Sequence, residues 1–181
     1  MADSILITGG AASGKARFAV TSFAAFDYVL YLRVGDELDP DITHRIEFST
    51  EKNGVEWDIV HNQTPTPANE VKDHKFVIFD SVSSYTRVIM REMCSKESDL
   101  NGDMKKRIEK RVIDGVTKLR ESVAENNGSI IIITLETGFS VRPADNAQAA
   151  YRDILGRVNQ RIANSCSEAY FSASGIQFKI K

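Results

Sequence analysis

The chain has 181 residues, with 23 Lys plus Arg against 25 Asp plus Glu and a formal net charge of −2; this near balance excludes an electrostatic case for nucleic acid or an anionic membrane as its main partner. The length suits one domain able to bury roughly 70% of the surface its unfolded form exposes, and the two cysteines, Cys94 and Cys166, have no metal-ligand spacing and no stapling role in a chain of this size. Both are read as free thiols of a soluble, cytoplasmic protein, because no stretch approaches the roughly 20 apolar residues of a membrane span and the N-terminus lacks a basic region leading into a long apolar core.

Residues 5–8 form a short apolar run closed by glycines, a strand signal, and Lys15–Phe23 carries enough apolar side chains on one side to pack as a helix against a sheet. Residues 28–32 are rich in β-formers and predict the second strand; 57–60, after the polar stretch 47–56, is a further candidate. The segment 62–73, with Pro65 and Pro67, predicts a surface connection. Phe76, Val77, Ile78 and Phe79 form a continuous apolar run ending in Asp80, as expected of a parallel strand buried on both faces with the carboxylate at its carboxyl end. A helix is predicted over 83–94. After the polar stretch 95–103, Ile108, Val112, Val116, Leu119 and Val123 recur at helical spacing among charges that face solvent. Residues 129–135 predict another buried strand and 138–144 a loop. Asp145 caps a helix through about 163, with Gln148 three residues on as in a capping box, and two short strands, 169–172 and 176–181, close the chain. The alternation predicts an α/β fold: a mainly parallel sheet flanked by helices on both faces, forming a single P-loop nucleotide-binding domain over residues 1–181.

The run Gly9-Gly10-Ala11-Ala12-Ser13-Gly14-Lys15 sits between the first strand and the first helix. Backbone N–H groups of such a loop can point into one concavity, the helix adds its positive N-terminal end, and Lys15 can reach the outer phosphates. Glycines serving only to pack a tight turn are the plain alternative. The usual pattern continues with Ser or Thr, whose hydroxyl helps to hold magnesium; here that residue is Ala16, and a methyl group holds no metal. Asp80 is the candidate metal-associated carboxylate, on the expectation that its strand lies beside the first and reaches the same rim; a helix-capping Asp is the alternative. Glu136 is a second candidate for that rim. His44, His61 and His74 share no motif spacing and read as surface or packing residues ahead of nucleophiles. Arg142, Arg152, Arg157 and Arg161 offer planar forks for phosphate, although Arg157 and Arg161 fit equally well on a solvated helix face.

The loop through residues 7–15, the Asp80 strand, the run Tyr151-Arg152-Asp153-Ile154-Leu155-Gly156-Arg157-Val158-Asn159-Gln160-Arg161, and the ending Ser174-Gly175-Ile176 with Lys179-Ile180-Lys181 share a pattern. Together they resemble the bacterial bifunctional adenosylcobinamide kinase and adenosylcobinamide-phosphate guanylyltransferase family of cobalamin nucleotide-loop assembly, in matching order over nearly the whole chain. The resemblance implies that Gly9, Gly10, Ala11, Ala12, Ser13, Gly14, Lys15 and Ala16 hold GTP or ATP, that Asp80 organises Mg2+, and that the hydroxyl of adenosylcobinamide's aminopropanol arm attacks the γ-phosphate. It also implies guanine-side contacts around Leu32, Arg33 and Val34, and a homo-oligomer, a ring of three. The family's guanylyl transfer runs through a histidine between an Arg-Ile pair and a Trp. Counting from Arg45-Ile46 to Trp57 places Ser49 at the nucleophile and Phe48 at the histidine before it. His61 stands four residues after Trp57, where the family has a nucleotide-contacting Glu.

Two classes of function follow. The first is an enzyme of cobinamide salvage that keeps its kinase half, for which Lys15 and Asp80 speak. The second is a nucleotide- or phosphate-binding relative acting as a binding or regulatory module, for which Ala16 and Ser49 speak. An unrelated small-molecule kinase with a similar loop is disfavoured by the matching C-terminal segments.

Overall fold

The structure, a computed structural model, describes residues 3–35, 38–62, 66–96 and 99–181. A seven-stranded sheet has the order β3-β2-β4-β5-β1-β6-β7. Its strands are β1 (Ser4–Gly9), β2 (Val29–Val34), β3 (Trp57–Asn62), β4 (Phe76–Asp80), β5 (Ser129–Ile133), β6 (Glu168–Ala173) and β7 (Ile176–Lys179). Every pairing is parallel except that of β6 with β7, so the α/β class and mainly parallel sheet expected from the sequence are what the fold shows.

The central strands are apolar along their whole length because helices cover both sides. On one face Ile7, Tyr31, Ile78 and Ile131 pack with α1 (Lys15–Phe23) and α2 (Pro40–Asn53). On the other, Leu6, Leu32, Phe79 and Ile132 pack with α3 (Val82–Met93), α4 (Gly102–Glu125) and α5 (Asn146–Ser165). Helix α4 buries Ile108, Val112, Val116, Leu119 and Val123, the stripe its periodicity predicts. The predicted cap of α5 is present: the Asp145 side chain accepts from Gln148 N at 2.7 Å.

Two expectations are corrected. The stretch read from 47 as polar belongs to α2, which Asp39 caps by accepting from Asp41 N at 2.9 Å and which opens with Pro40 at its first turn. Ile42, Ile46 and Ser49 are its buried face, too sparse a stripe to stand out among the charges. The Asp80 strand also does not lie beside β1; β4 pairs with β2 and β5, and β5 takes the place next to β1. The connection 62–73 contains a 3₁₀ turn, Pro67–Glu70, while Pro65 lies outside the described residues, as do 97 and 98 of the stretch 95–103. Cys94 and Cys166 are free thiols, as expected. No helix among the described residues is long and apolar enough to cross a membrane.

Candidate nucleotide site

The loop after β1 has backbone demands that only glycine meets well. Gly9 has φ 151°, and a Cβ there would lie 2.2 Å from the Ser172 carbonyl oxygen of β6; Gly14 has φ 92° and faces the Gly175 Cα. Gly175 N donates to Ser13 O at 3.1 Å, so the turn between β6 and β7 is docked on the loop. Lys15 opens α1 and folds back over the loop, donating from Nζ to Gly10 O at 2.5 Å and to Ser13 Oγ at 3.2 Å. Burial pushes its pKa below the ordinary lysine value, and the Asp80 carboxylate partly opposes this.

Asp80 stands at the carboxyl end of β4, buried at 6% exposure. Its Oδ2 accepts two hydrogen bonds, from Tyr31 OH at 2.7 Å and from Arg33 Nη1 at 2.7 Å. Both donors come from β2, where Arg33 is the direct cross-strand partner of Asp80. Burial, with the neighbouring carboxylate, raises the Tyr31 pKa, so the phenol remains a donor. Strand alternation sends Tyr31 and Arg33 to the α1–α2 side and sends Leu32 and Val34 into the core against α3, α4 and α5.

A cavity of about 640 Å³ joins these parts. Residues 11–16 of the loop and helix start, Arg33 and Asp80 all line it, so the structure brings together the phosphate loop, Lys15 and the candidate carboxylate. Gly9 and Gly10 do not line it. Leu32 and Val34 do not line the cavity, and His61, exposed on the outer strand opposite Arg33, does not either. Ser49 is buried on α2 and lines a separate depression with His44 and Phe48.

The other candidates do not line this cavity. Glu136 N donates to Gly9 O, and its carboxylate accepts from Gly138 N. Arg152 donates to the Thr137 and Gly138 carbonyls, Arg157 pairs with Glu109 at 2.6 Å, and Arg142 and Arg161 are exposed. His74 is a packing residue, bonded to Val71 O and Asp58 and stacked on Tyr28; His44 is exposed beside Glu47.

Sequence reasoning missed several lining residues. Ser81 caps α3, with its Oγ 2.7 Å from Ser83 Oγ and accepting from Ser84 N, and all three serines face the cavity. Ser81 followed three residues later by Ser84, after a strand, is the cap signal that could have found them. Arg17, Asp39 and Asp41 line the same space. For a divalent cation the donor set is thin. Ala16 offers no side-chain oxygen, and among the described residues no three His, Cys, Asp or Glu are grouped so that they could hold a metal ion. Asp80 Oδ1 could hold a magnesium whose remaining ligands would be phosphate oxygens and water.

A glycine loop, a buried lysine and a strand-end carboxylate on one cavity agree with the match over residues 5–180 to the family described as cobinamide kinase / cobinamide phosphate guanyltransferase. The chain belongs to this family. It is 28% identical to the bifunctional adenosylcobalamin biosynthesis protein CobU of Salmonella typhimurium over 98% of this chain and 99% of that relative. It is 26% identical to the Escherichia coli protein of the same name, again over 98% and 99%. The bifunctional adenosylcobalamin biosynthesis protein CobP of Pseudomonas aeruginosa is 25% identical over 97% of this chain and 96% of its own length. Within the matched span, residues 11–16 line the cavity and the Ser174-Gly175 turn is docked on that loop.

Proposed function

We propose that the chain binds GTP or ATP at the phosphate loop and retains the kinase half of the family's chemistry, phosphorylating adenosylcobinamide in cobalamin biosynthesis and salvage. The observation that carries this reading is that Lys15 and Asp80 line one cavity although β5 separates their strands, whereas Ser49 does not line it. Loop amides and the N-terminus of α1 would hold the phosphates, with Lys15 turning from Gly10 O to the outer ones. Asp80 Oδ1 would hold Mg2+, which when bound neutralises charge on the transferring phosphoryl group. The acceptor is the hydroxyl of the aminopropanol arm, and the protein's contribution is positioning and charge. Guanylyl transfer is not retained in this reading, because a serine without an adjacent base is a poor nucleophile toward an α-phosphate. The same reading takes residues 1–181 as one nucleotide-binding domain of a cytoplasmic homotrimer, which light scattering tests against the monomer mass of 20.1 kDa.

An assay with adenosylcobinamide and either GTP or ATP should yield the phosphorylated cobinamide. Nucleotide binding without product would favour the second reading, a binding or regulatory module. Ala16 and the double engagement of Asp80 Oδ2 by Tyr31 and Arg33 favour it.

A further inference from the structure

We infer that Arg17 holds the inner phosphates of the nucleotide, on the flank of the loop opposite Lys15. The inference rests on the nucleotide reading above and adds a phosphate contact beyond the loop and its lysine.

Among the described residues six charged side chains line the cavity, Lys15, Arg17 and Arg33 against Asp39, Asp41 and Asp80, so net charge favours no ligand there. What separates them is commitment. Arg33 pairs with Asp80 at 2.7 Å, Asp41 pairs with Arg45 at 2.8 Å, Asp39 caps α2, and Lys15 donates to Gly10 O and Ser13 Oγ. The Arg17 guanidinium makes no hydrogen bond or ion pair among the described residues, and the carboxylate whose charge it feels, Asp41, is the one held by Arg45.

Placement says which phosphates it meets. Residue 17 lies about 200° round α1 from residue 15, and helical side chains lean toward the N-terminus, so the two come back to the loop along opposite sides of the helix. Lys15 Nζ arrives at Gly10 O, at the start of the loop. Arg17 Nη2 arrives at its end, 3.7 Å from where a Cβ on Gly14 would stand and 2.7 Å from where one on Gly175 would stand. Gly175 N donates to Ser13 O, and the missing side chain at Gly175 leaves room for the guanidinium against the docked turn. In such loops the backbone N–H groups cradle the inner phosphates and the lysine reaches the outer ones. A cation at the end of the loop away from the lysine's contact therefore meets the phosphates nearer the nucleoside, and the planar fork of arginine suits their oxygens.

An inner-phosphate contact is the same in a triphosphate and a diphosphate, whereas a γ-phosphate contact exists only in the first. The experiment is calorimetric titration of GTP, GDP, ATP and ADP, with excess magnesium, into the full chain as wild type, Arg17→Met and Arg91→Met. Arg91 is exposed in the last turn of α3 and does not line the cavity, so its variant controls for the loss of one positive charge. Arg17→Met should weaken a triphosphate and its diphosphate by the same factor, about fivefold or more, while Arg91→Met stays within about twofold of wild type for both. Arg17→Gln serves the same comparison if the methionine variant does not fold.

Weakening of the triphosphate alone overturns the inference, because the contact is then to the outer phosphate. Unchanged affinities, or an equal loss in Arg91→Met, overturn it as well. Absence of wild-type binding to all four at millimolar nucleotide overturns the nucleotide reading, and this inference with it.

Discussion

Arg33 and Asp80 are direct cross-strand partners on β2 and β4, and the guanidinium Nη1 lies 2.7 Å from the carboxylate Oδ2. The pair is largely withdrawn from solvent and lines the same cavity as Lys15, with side-chain exposures of 21% and 9%. A carboxylate in this setting is a different ligand from an open one: its nearer oxygen is already neutralised, and what it offers a metal is the oxygen left over. The consequences separate into what Lys15, the loop glycines, Ser49 and Ala16 each contribute.

Lys15→Met should weaken nucleotide binding by about tenfold or more, since the proposed charge-assisted contact of the largely buried Lys15 to phosphate is lost. The same lysine predicts a pH effect on the nucleotide-free protein. Its pKa in the folded state lies below the ordinary 10.5, chiefly through burial, so in the window between the two values the unfolded chain holds a proton the folded one has shed. Unfolding takes up that proton, and stability rises with pH across the window. Denaturation curves at stepped pH should show this rise in wild type and lack it in Lys15→Met; equal slopes in the two proteins would count against a buried, charged Lys15.

Gly9→Ala should destabilise the protein by about 2 kcal/mol or more, because the new Cβ meets backbone at Ser172 and the residue is held at a positive φ. Gly10→Ala is the matched control. Nothing lies within 4 Å of the point where its Cβ would stand, and its effect should stay within about 0.5 kcal/mol. Urea midpoints of the two variants beside wild type test the contrast, which vanishes if the loop relaxes away from β6.

No covalent guanylylation is expected. Ser49, which the resemblance puts at the place of the family's histidine, is 5% exposed and does not line the cavity that holds Lys15 and Asp80. Intact-mass spectrometry after incubation with GTP and magnesium should show the unmodified chain. A GMP-sized increment mapped to His44, which lines the same depression as Ser49, or to His61 would reveal a relocated nucleophile.

The sequence carried the sheet well because β4 and β5 are uninterrupted apolar runs and the α4 stripe is strictly periodic, signals set by burial on both sides or on one. The tight turn after β1 was legible because Gly9 and Gly14 hold positive φ and meet backbone where a Cβ would stand. Helix α2 was not, since only Ile42, Ile46 and Ser49 of its fourteen residues are buried and its charges mask the start that Asp39 and Pro40 announce. The site's floor was hidden for a different reason. That Arg33 faces Asp80, and that Leu32 and Val34 turn away from it, depends on strand order and register, which place residues 47 apart in sequence side by side. Local pattern gives each strand and says little about its neighbour. The same gap explains why β4 was expected beside β1, a place that β5 holds.

Ala16→Ser tests whether the missing hydroxyl limits transfer. Residue 16 lies in the first turn of α1 and lines the cavity, so a serine there adds an oxygen where the phosphates are proposed to sit. The backbone cost should be small, because serine is well tolerated in a first helical turn and differs from alanine by one hydroxyl. A donor that helps to neutralise charge developing during transfer acts on the barrier more than on ground-state affinity. Turnover with adenosylcobinamide should therefore rise by about tenfold, roughly 1.4 kcal/mol, while nucleotide affinity changes less. The gain should also be larger in Ala16→Ser combined with Arg33→Met than in Ala16→Ser alone, because the Asp80 carboxylate then loses its guanidinium partner and keeps only the Tyr31 hydroxyl. An equal gain in the two backgrounds would mean that the Arg33–Asp80 pair and position 16 act independently. No activity in any of the proteins, with binding intact, would leave the module reading as the one the chemistry supports.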